Sequence, residues 1–356
     1  MKRARFFSSC LLGTLSVVAL SGCQMPYLIK SAYSQADLLR RRVPIDEALK
    51  NESLTEQQKA KLKLAVDARV FAEKELGLKA TENYTSYVQL DRPFVTYVVS
   101  AAPKNELTHH LWRYPVVGSL PYKGFFNPDD AKEEADKLKA EGLDVYVRGV
   151  SAYSTLGWFR DPILSSMLVY RDFELVNTVI HETVHATVYI KSEADFNERL
   201  ATFIGHKGTE LFYAQREGID GTGIREMSAD AHDERLFSEF ISRELDQLEK
   251  WYGERKDTSI AEDARHARLR EIQERFVAEV RPKLKLAASY KNFETAELNN
   301  ARLLTFRLYL QDLSDFEAVF KKLGESFPKM LSFCKSLEKE DDPQLALAKA
   351  AKEESR

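Results

Sequence analysis

The sequence predicts a helix-rich α+β protein, and three observations carry that reading. Tyr84–Leu90, Phe94–Ala101 and Leu143–Val150 alternate in the manner of short strands. From Asp172 onward the apolar residues fall at helical spacing, with breaks near Gly218–Gly223, Asp257, Pro282 and Pro328. The chain has 356 residues, 44% of them hydrophobic, which suffices for one large core or two coupled subdomains.

The first segment is expected to be a targeting signal. Lys2, Arg3 and Arg5 form a basic start, and Phe6–Leu20 is apolar but short for a membrane span. Leu20-Ser21-Gly22-Cys23 resembles the lipobox of bacterial lipoproteins. Cleavage would then remove residues 1–22 and leave lipid on Cys23, holding a folded domain at a membrane surface. The absence of Asp at position 24 points to the outer membrane, facing the periplasm, in a Gram-negative cell. Residues 23–33 read as the lipidated Cys and its tether, 34–171 as a helical and mixed-sheet subdomain, and 172–337 as a helical C-terminal subdomain. Residues 338–356, rich in Lys, Glu, Asp and Ala, read as a disordered tail.

Within 34–76 the pattern is helical, with a break at Pro44. Asp91-Arg92-Pro93 between the first two alternating runs reads as the turn of a strand–turn–strand unit. His109–Val117 is extended, and Asn127-Pro128-Asp129-Asp130 starts a charged helix that ends by Gly142. Net charge is −3 with both signs mixed, which gives no reason to expect nucleic acid as a partner. Cys10 falls in the signal and Cys23 at the acylation position, leaving Cys334 in an apolar run as a core residue.

His181-Glu182-Thr183-Val184-His185 carries the chemistry. On a helix, residues four apart stand one above the other, so both imidazoles can face one ion. Glu182 projects beside that ion, where a general base takes a proton from an activated water. The surrounding stretch Phe173–Ile190 contains neither Gly nor Pro and is mostly apolar, with Asp172 as a candidate N-cap. A core helix with satisfied histidines is the plain alternative. Three ionisable groups within five residues of such a helix argue for a metal, and Zn2+ suits the donors.

Catalytic zinc keeps three protein ligands. Glu198 opens a second helical run one short link after His185 and is the candidate third ligand. Asp195 and Glu198 also have capping-box spacing, which would compete, and Glu193 and Asp195 are second choices as ligands.

The motif followed by Asn197-Glu198-Arg199-Leu200-Ala201-Thr202 resembles the gluzincin metallopeptidases, whose ligands are two His and a Glu. Tyr114–Gly118, Pro121–Phe126, Ala152–Phe159 with Asp161-Pro162, the metal motif and Asn299-Asn300-Ala301 are together similar to a bacterial family of putative aminopeptidase lipoproteins. That resemblance spans nearly the whole chain after the signal. It implies a zincin-like arrangement: a mixed sheet with an edge strand above the active-site helix, then a helical C-terminal region. Gly149–Ser154 reads as the end of that edge strand, to which an extended peptide could add, or as an ordinary strand end before a Gly157 turn. Tyr309, on a C-terminal helical run, and Tyr153, on the strand side, are the candidates for stabilising charge on the substrate carbonyl. Asn197 is a candidate for supporting the ligands.

The resulting expectation is a membrane-tethered zinc metallopeptidase acting on peptide or protein substrates. His181, His185 and Glu198 hold the metal, Glu182 is the base, and aminopeptidase activity is what the resemblance implies. A cell-envelope zinc endopeptidase is the alternative within the same chemistry. A non-catalytic lipoprotein scaffold is the alternative outside it, and Glu182 argues against a purely structural site.

Overall fold

The computed structural model describes residues 25–114, 118–152, 159–256, 260–309 and 312–353. The chain divides into two units, residues 1–42 and 43–356. The described part of the first is one helix, α1 (Met25–Arg40), with an Arg40–Asp37 pair at 2.8 Å near its end. The segment expected to be a tether is therefore helical from Met25. Its one proline, Pro26, sits in the first turn, where no intrahelical N–H is lost. Cys23 lies outside the described residues.

The second unit opens with β1 (Val43–Pro44), α2 (Ile45–Ala48) and α3 (Glu56–Lys74). Thr55 starts α3 with a capping box: its hydroxyl accepts from Gln58 N, and the Gln58 side chain accepts from Thr55 N. Then come β2 (Ser86–Val88), β3 (Thr96–Ala102), β4 (Trp112–Tyr114), β5 (Gly118–Leu120) and β6 (Lys123–Phe125). Helix α4 (Pro128–Ala140), capped by Asn127, leads to β7 (Asp144–Val150) and β8 (Ile163–Leu164).

The strands form three small sheets with orders β1-β2-β8, β6-β3-β7 and β4-β5. This corrects the strand–turn–strand expectation: β2 and β3 belong to different sheets. Alternation sets which face of a strand is buried but does not choose its partner. Here β3 pairs with β7 along its whole length, from Thr96–Val150 to Ala102–Asp144. Leu90 N is meanwhile drawn to Ser165 Oγ at 2.9 Å, past the end of β8. The Phe94 ring lies over Gly149, where a Cβ would come within 2.1 Å of it. β7 is an edge strand of its sheet.

Helices fill the rest. α5 (Asp172–Thr187) and α6 (Ala194–Glu217) pack side by side, and α7 (Thr222–Gly253) follows after the Gly218–Gly221 turn. Next are α8 (Glu262–Arg275), α9 (Lys291–Thr295), α10 (Asn300–Tyr309), α11 (Ser314–Lys322), α12 (Phe327–Ser336) and α13 (Pro343–Lys352). The helix-rich α+β class is what the sequence predicts. α13 corrects the disordered tail: Asp342 accepts from Leu345 N, Pro343 occupies the first turn, and Leu347 is fully buried. No described helix is long and apolar enough to cross a membrane.

The helical region has its own aromatic core of Phe237, Phe240, Phe276, Phe293 and Phe306. A buried polar lock joins it to the sheet. Asp144, at the start of β7, accepts from Arg265 Nη1 at 2.7 Å and from Asn300 N at 2.8 Å. The Asn300 side chain donates to Pro103 O and accepts from the Tyr252 hydroxyl. Asn299 Nδ2 donates to Val145 O. The Asn299-Asn300-Ala301 motif thus fastens α10 to the sheet. Removing one partner of a buried charge pair leaves the other charge uncompensated. Asp144→Ala should cost about 3–5 kcal/mol in urea unfolding, while metal stoichiometry of the folded fraction stays unchanged.

Candidate metal centre

The site is built on α5 and α6. At the start of α5, Arg171 N donates to Glu174 Oε2 at 2.8 Å, so Arg171 is the N-cap where Asp172 was expected. Asp172 is the first helical residue and pairs with Lys61 at 3.2 Å. Arg171 also bonds Asp230 at 2.6 Å, tying the helix to α7. On the core side Leu175, Val176, Val179, Ile180 and Val184 are fully buried. His181 and His185 share the flank that faces α6.

Two devices bring α6 close. Gly205 and Gly208 lie against α5: a Cβ on Gly205 would come within 2.6 Å of Asn177 Oδ1, and one on Gly208 within 2.6 Å of Leu76 Cδ1 and 3.3 Å of Ile180. Asn197, 1% exposed, grips the link between the helices. Its Oδ1 accepts from Ile190 N at 2.8 Å and its Nδ2 donates to Ile190 O at 2.7 Å. Within that link Ser192 has φ 66°, a left-handed conformation unusual outside glycine. Asn197 thus acts on the backbone beside the ligands, not on a ligand side chain.

The result is a cluster of His181, His185 and Glu198. The two Nε2 atoms are 3.2 Å apart, and each lies 3.5 Å from an oxygen of Glu198. Bonds of about 2.1 Å in tetrahedral geometry place neighbouring donors about 3.4 Å apart. The donor set and its spacing therefore fit a four-coordinate divalent ion. His185 is 6% exposed, His181 19% and Glu198 53%, so the cluster is closed by the helices on the histidine side and open to solvent on the Glu198 side. The N-cap of α6, Glu193, makes no side-chain hydrogen bond, and the capping role considered for Glu198 is not what it performs.

Electrostatics agree with the geometry. Burial pushes the His181 imidazole down, but the carboxylates of Glu198 and Glu182 outweigh it and leave its pKa above the ordinary histidine value. Burial and the neighbouring His181 push His185 down to about 4. Burial raises Glu198, yet the two histidines hold it below the ordinary carboxylate value. Glu198 is crowded on its helix side while its other side meets solvent, so both effects operate.

Glu182 is partly exposed beside His181, and its charge acts on the phenols of Tyr84 and Tyr170. Neither tyrosine was a sequence candidate. Tyr84 reads simply as the start of an alternating run, and no local pattern marks either one. Tyr153 lies outside the described residues. The backbone of Tyr309 closes α10, and its side chain also lies outside them. His206 on α6 keeps part of its side chain in solvent, yet crowding of its ring by neighbouring groups, and then the charge of His181, lower its pKa. His232 contacts Lys283 O, and His266 pairs with Glu262 at 3.9 Å.

Fold and site together define a helix-rich α+β protein with a His–His–Glu cluster, able to hold a metal ion, on two adjacent helices. The chain belongs to the family described as "Putative aminopeptidase", whose profile matches residues 26–347, and membership implies a peptidase. No curated protein matches the chain. No solved structure matches it.

Two measurements follow from this geometry. Asn197→Ala orphans both polar groups of Ile190 and should cost about 2–4 kcal/mol of stability and about 10–100-fold in metal affinity, read by titration with a competing chelator. Metal ligation needs neutral imidazoles. His185 is already neutral near pH 7, whereas the raised pKa of His181 keeps it partly protonated there. Metal affinity should therefore rise with pH through the His181 pKa. Binding near neutrality should release a proton, seen by calorimetry in buffers of different ionisation enthalpy.

Proposed function

We propose that this chain is a zinc-dependent peptidase of the gluzincin type that acts on the free amino end of peptides. One observation carries the reading: three donor atoms at tetrahedral spacing, with a further carboxylate outside that cluster, Glu182, next to His181 in sequence. His181, His185 and Glu198 would hold the ion. When bound, zinc polarises a carbonyl oxygen and brings the pKa of a water molecule to about 7. Glu182 takes the proton from the attacking water and returns it to the leaving amine. The exposed side of Glu198 leaves room for substrate.

The edge of β7 supports an extended mode of substrate binding. Ser151, just past the strand, is bonded through its carbonyl to Ser166 Oγ at 2.6 Å and through its side chain to Tyr170. Tyr170 in turn lies in the field of Glu182. A peptide added to this edge would run toward the base. Aminopeptidase specificity is supported by the family's name, and tethering at a membrane by the lipobox-like Leu20–Cys23.

Glu182→Gln should retain about one zinc per chain and lose about 10²–10⁴-fold in hydrolysis. Fluorogenic aminoacyl amides serve as substrates, beside N-acetylated copies. Activity abolished by acetylation supports the exopeptidase reading. Cleavage of N-blocked, internally quenched peptides would move the assignment to an endopeptidase. Full activity in Glu182→Gln would overturn the mechanism.

A further inference from the structure

We propose that α1 is a membrane-interface helix: its exposed apolar face lies in a bilayer of anionic phospholipid, beside the acyl chains that Cys23 would carry. The inference rests on the tethering reading above and not on the peptidase chemistry.

The pattern on α1 is one-sided. At about 100° per residue, Leu28, Ile29, Ala32, Tyr33 and Ala36 fall within an arc of about 140°. All five are exposed, Tyr33 at 72%, Ile29 at 63% and Leu28 at 40%. No charged residue enters that arc before Arg40. The opposite side carries Ser31, Ser34 and the buried Leu38. Single exposed apolar residues are ordinary on a protein surface, whereas a continuous apolar face in water marks a surface that meets something.

Chain connectivity says what meets it. Only Gln24 separates Cys23 from Met25, the first residue of α1. Two residue steps span at most about 7 Å. Acyl chains on Cys23 would therefore hold the start of the helix at the bilayer surface. α1 is not long and apolar enough to cross, so it lies along the surface or stands away from it. Standing away leaves the apolar face in water. Lying flat buries that face about 5–10 Å deep, at the boundary between headgroups and acyl chains. Tyr33 suits this boundary, with an apolar ring and a polar tip. Charge selects the lipid. Residues 25–42 hold Lys30, Arg40, Arg41 and Arg42 against one acid, Asp37, a net charge of +3 in a chain whose total is −3. That local excess is complementary to anionic headgroups.

The test is a cysteine scan. Single cysteines replace each residue from Leu28 to Asp37 in the full chain, which is expressed and processed in a bacterial envelope. The protein is then reconstituted on vesicles of phosphatidylethanolamine and phosphatidylglycerol. Each cysteine carries a fluorophore quenched by brominated acyl chains, and Cys334, being buried, stays unlabelled. Quenching should follow the helical period, strongest from Leu28, Ile29, Ala32, Tyr33 and Ala36 and weakest from Ser31 and Ser34. Uniform quenching, or none, overturns the proposal. A dimer that Ile29→Ser with Tyr33→Ser dissociates, seen together with absent quenching, assigns the face to a second copy and overturns it too. The mass of the N-terminal peptide tests the anchor separately. If Cys23 is acylated and the scan is flat, only the helix inference fails. If Cys23 carries no lipid, the tethering reading fails, and flotation of that chain with the same vesicles decides α1 alone. Binding should then weaken about tenfold or more in Ile29→Ser with Tyr33→Ser. No binding, or binding that the pair leaves unchanged, overturns the proposal.

Discussion

The close contact between α5 and α6 is the constraint on which the site depends. Four-residue spacing puts two imidazoles on one flank of α5, but two donors do not make a metal centre. The third donor comes from another helix, and its position depends on how near that helix lies and where it starts. Gly205 and Gly208 set the nearness by withholding side chains from the contact. Asn197 sets the start by fixing both polar groups of Ile190 in the link. With those settled, Glu198 falls 3.5 Å from each imidazole without any further residue having to steer it.

Much of this was legible in the sequence, and the parts that were not share a physical cause. His181, His185 and Glu198 are separated by one helix repeat and one short link, so local rules suffice to bring them together. The helix-rich class followed from periodicity, a local property as well. Strand partners did not follow: β3 pairs with β7 across some fifty residues, and alternation does not encode that choice. Tyr84 was hidden for the same reason. Its backbone conformation depends on Asp161, and the anchoring of its segment on Thr187, both remote in sequence. The tail shows the opposite error. Composition read Lys, Glu and Ala as disorder, whereas a capping Asp, a first-turn Pro and one buried Leu were enough to dock a helix.

Asn299-Asn300-Ala301 shows why motif and role should be kept apart. A run of polar residues that resembles other members of a family invites a catalytic reading. Here the two asparagines donate to Val145 O and Pro103 O, and Asn300 N bonds the Asp144 carboxylate. Such a network joins the aromatic core of the helical region to the sheet around the buried Asp144, Arg265 and Asn300. It bears on chemistry only indirectly, by holding β7 in place as an edge.

The distribution of strain points back to the chemistry. Among the described residues three that are not glycine have positive φ: Tyr84, Ser192 and Glu325. Glu325 follows α11 in an ordinary helix-ending turn, where its N–H bonds Phe320 O. The other two lie on segments attached to α5. Ser192 is in the link that delivers Glu198, and Tyr84 is in the segment bonded to Thr187. Each such conformation costs about 1 kcal/mol or more and persists only where surrounding bonds over-determine it. In both places those bonds are present, from Asn197 in one and from Asp161 in the other. The fold therefore holds strain on both segments bordering α5, one delivering Glu198 and the other carrying Tyr84. Strain at the Ser192 link is accounted for if the position of Glu198 matters more than the stability that a relaxed backbone would give.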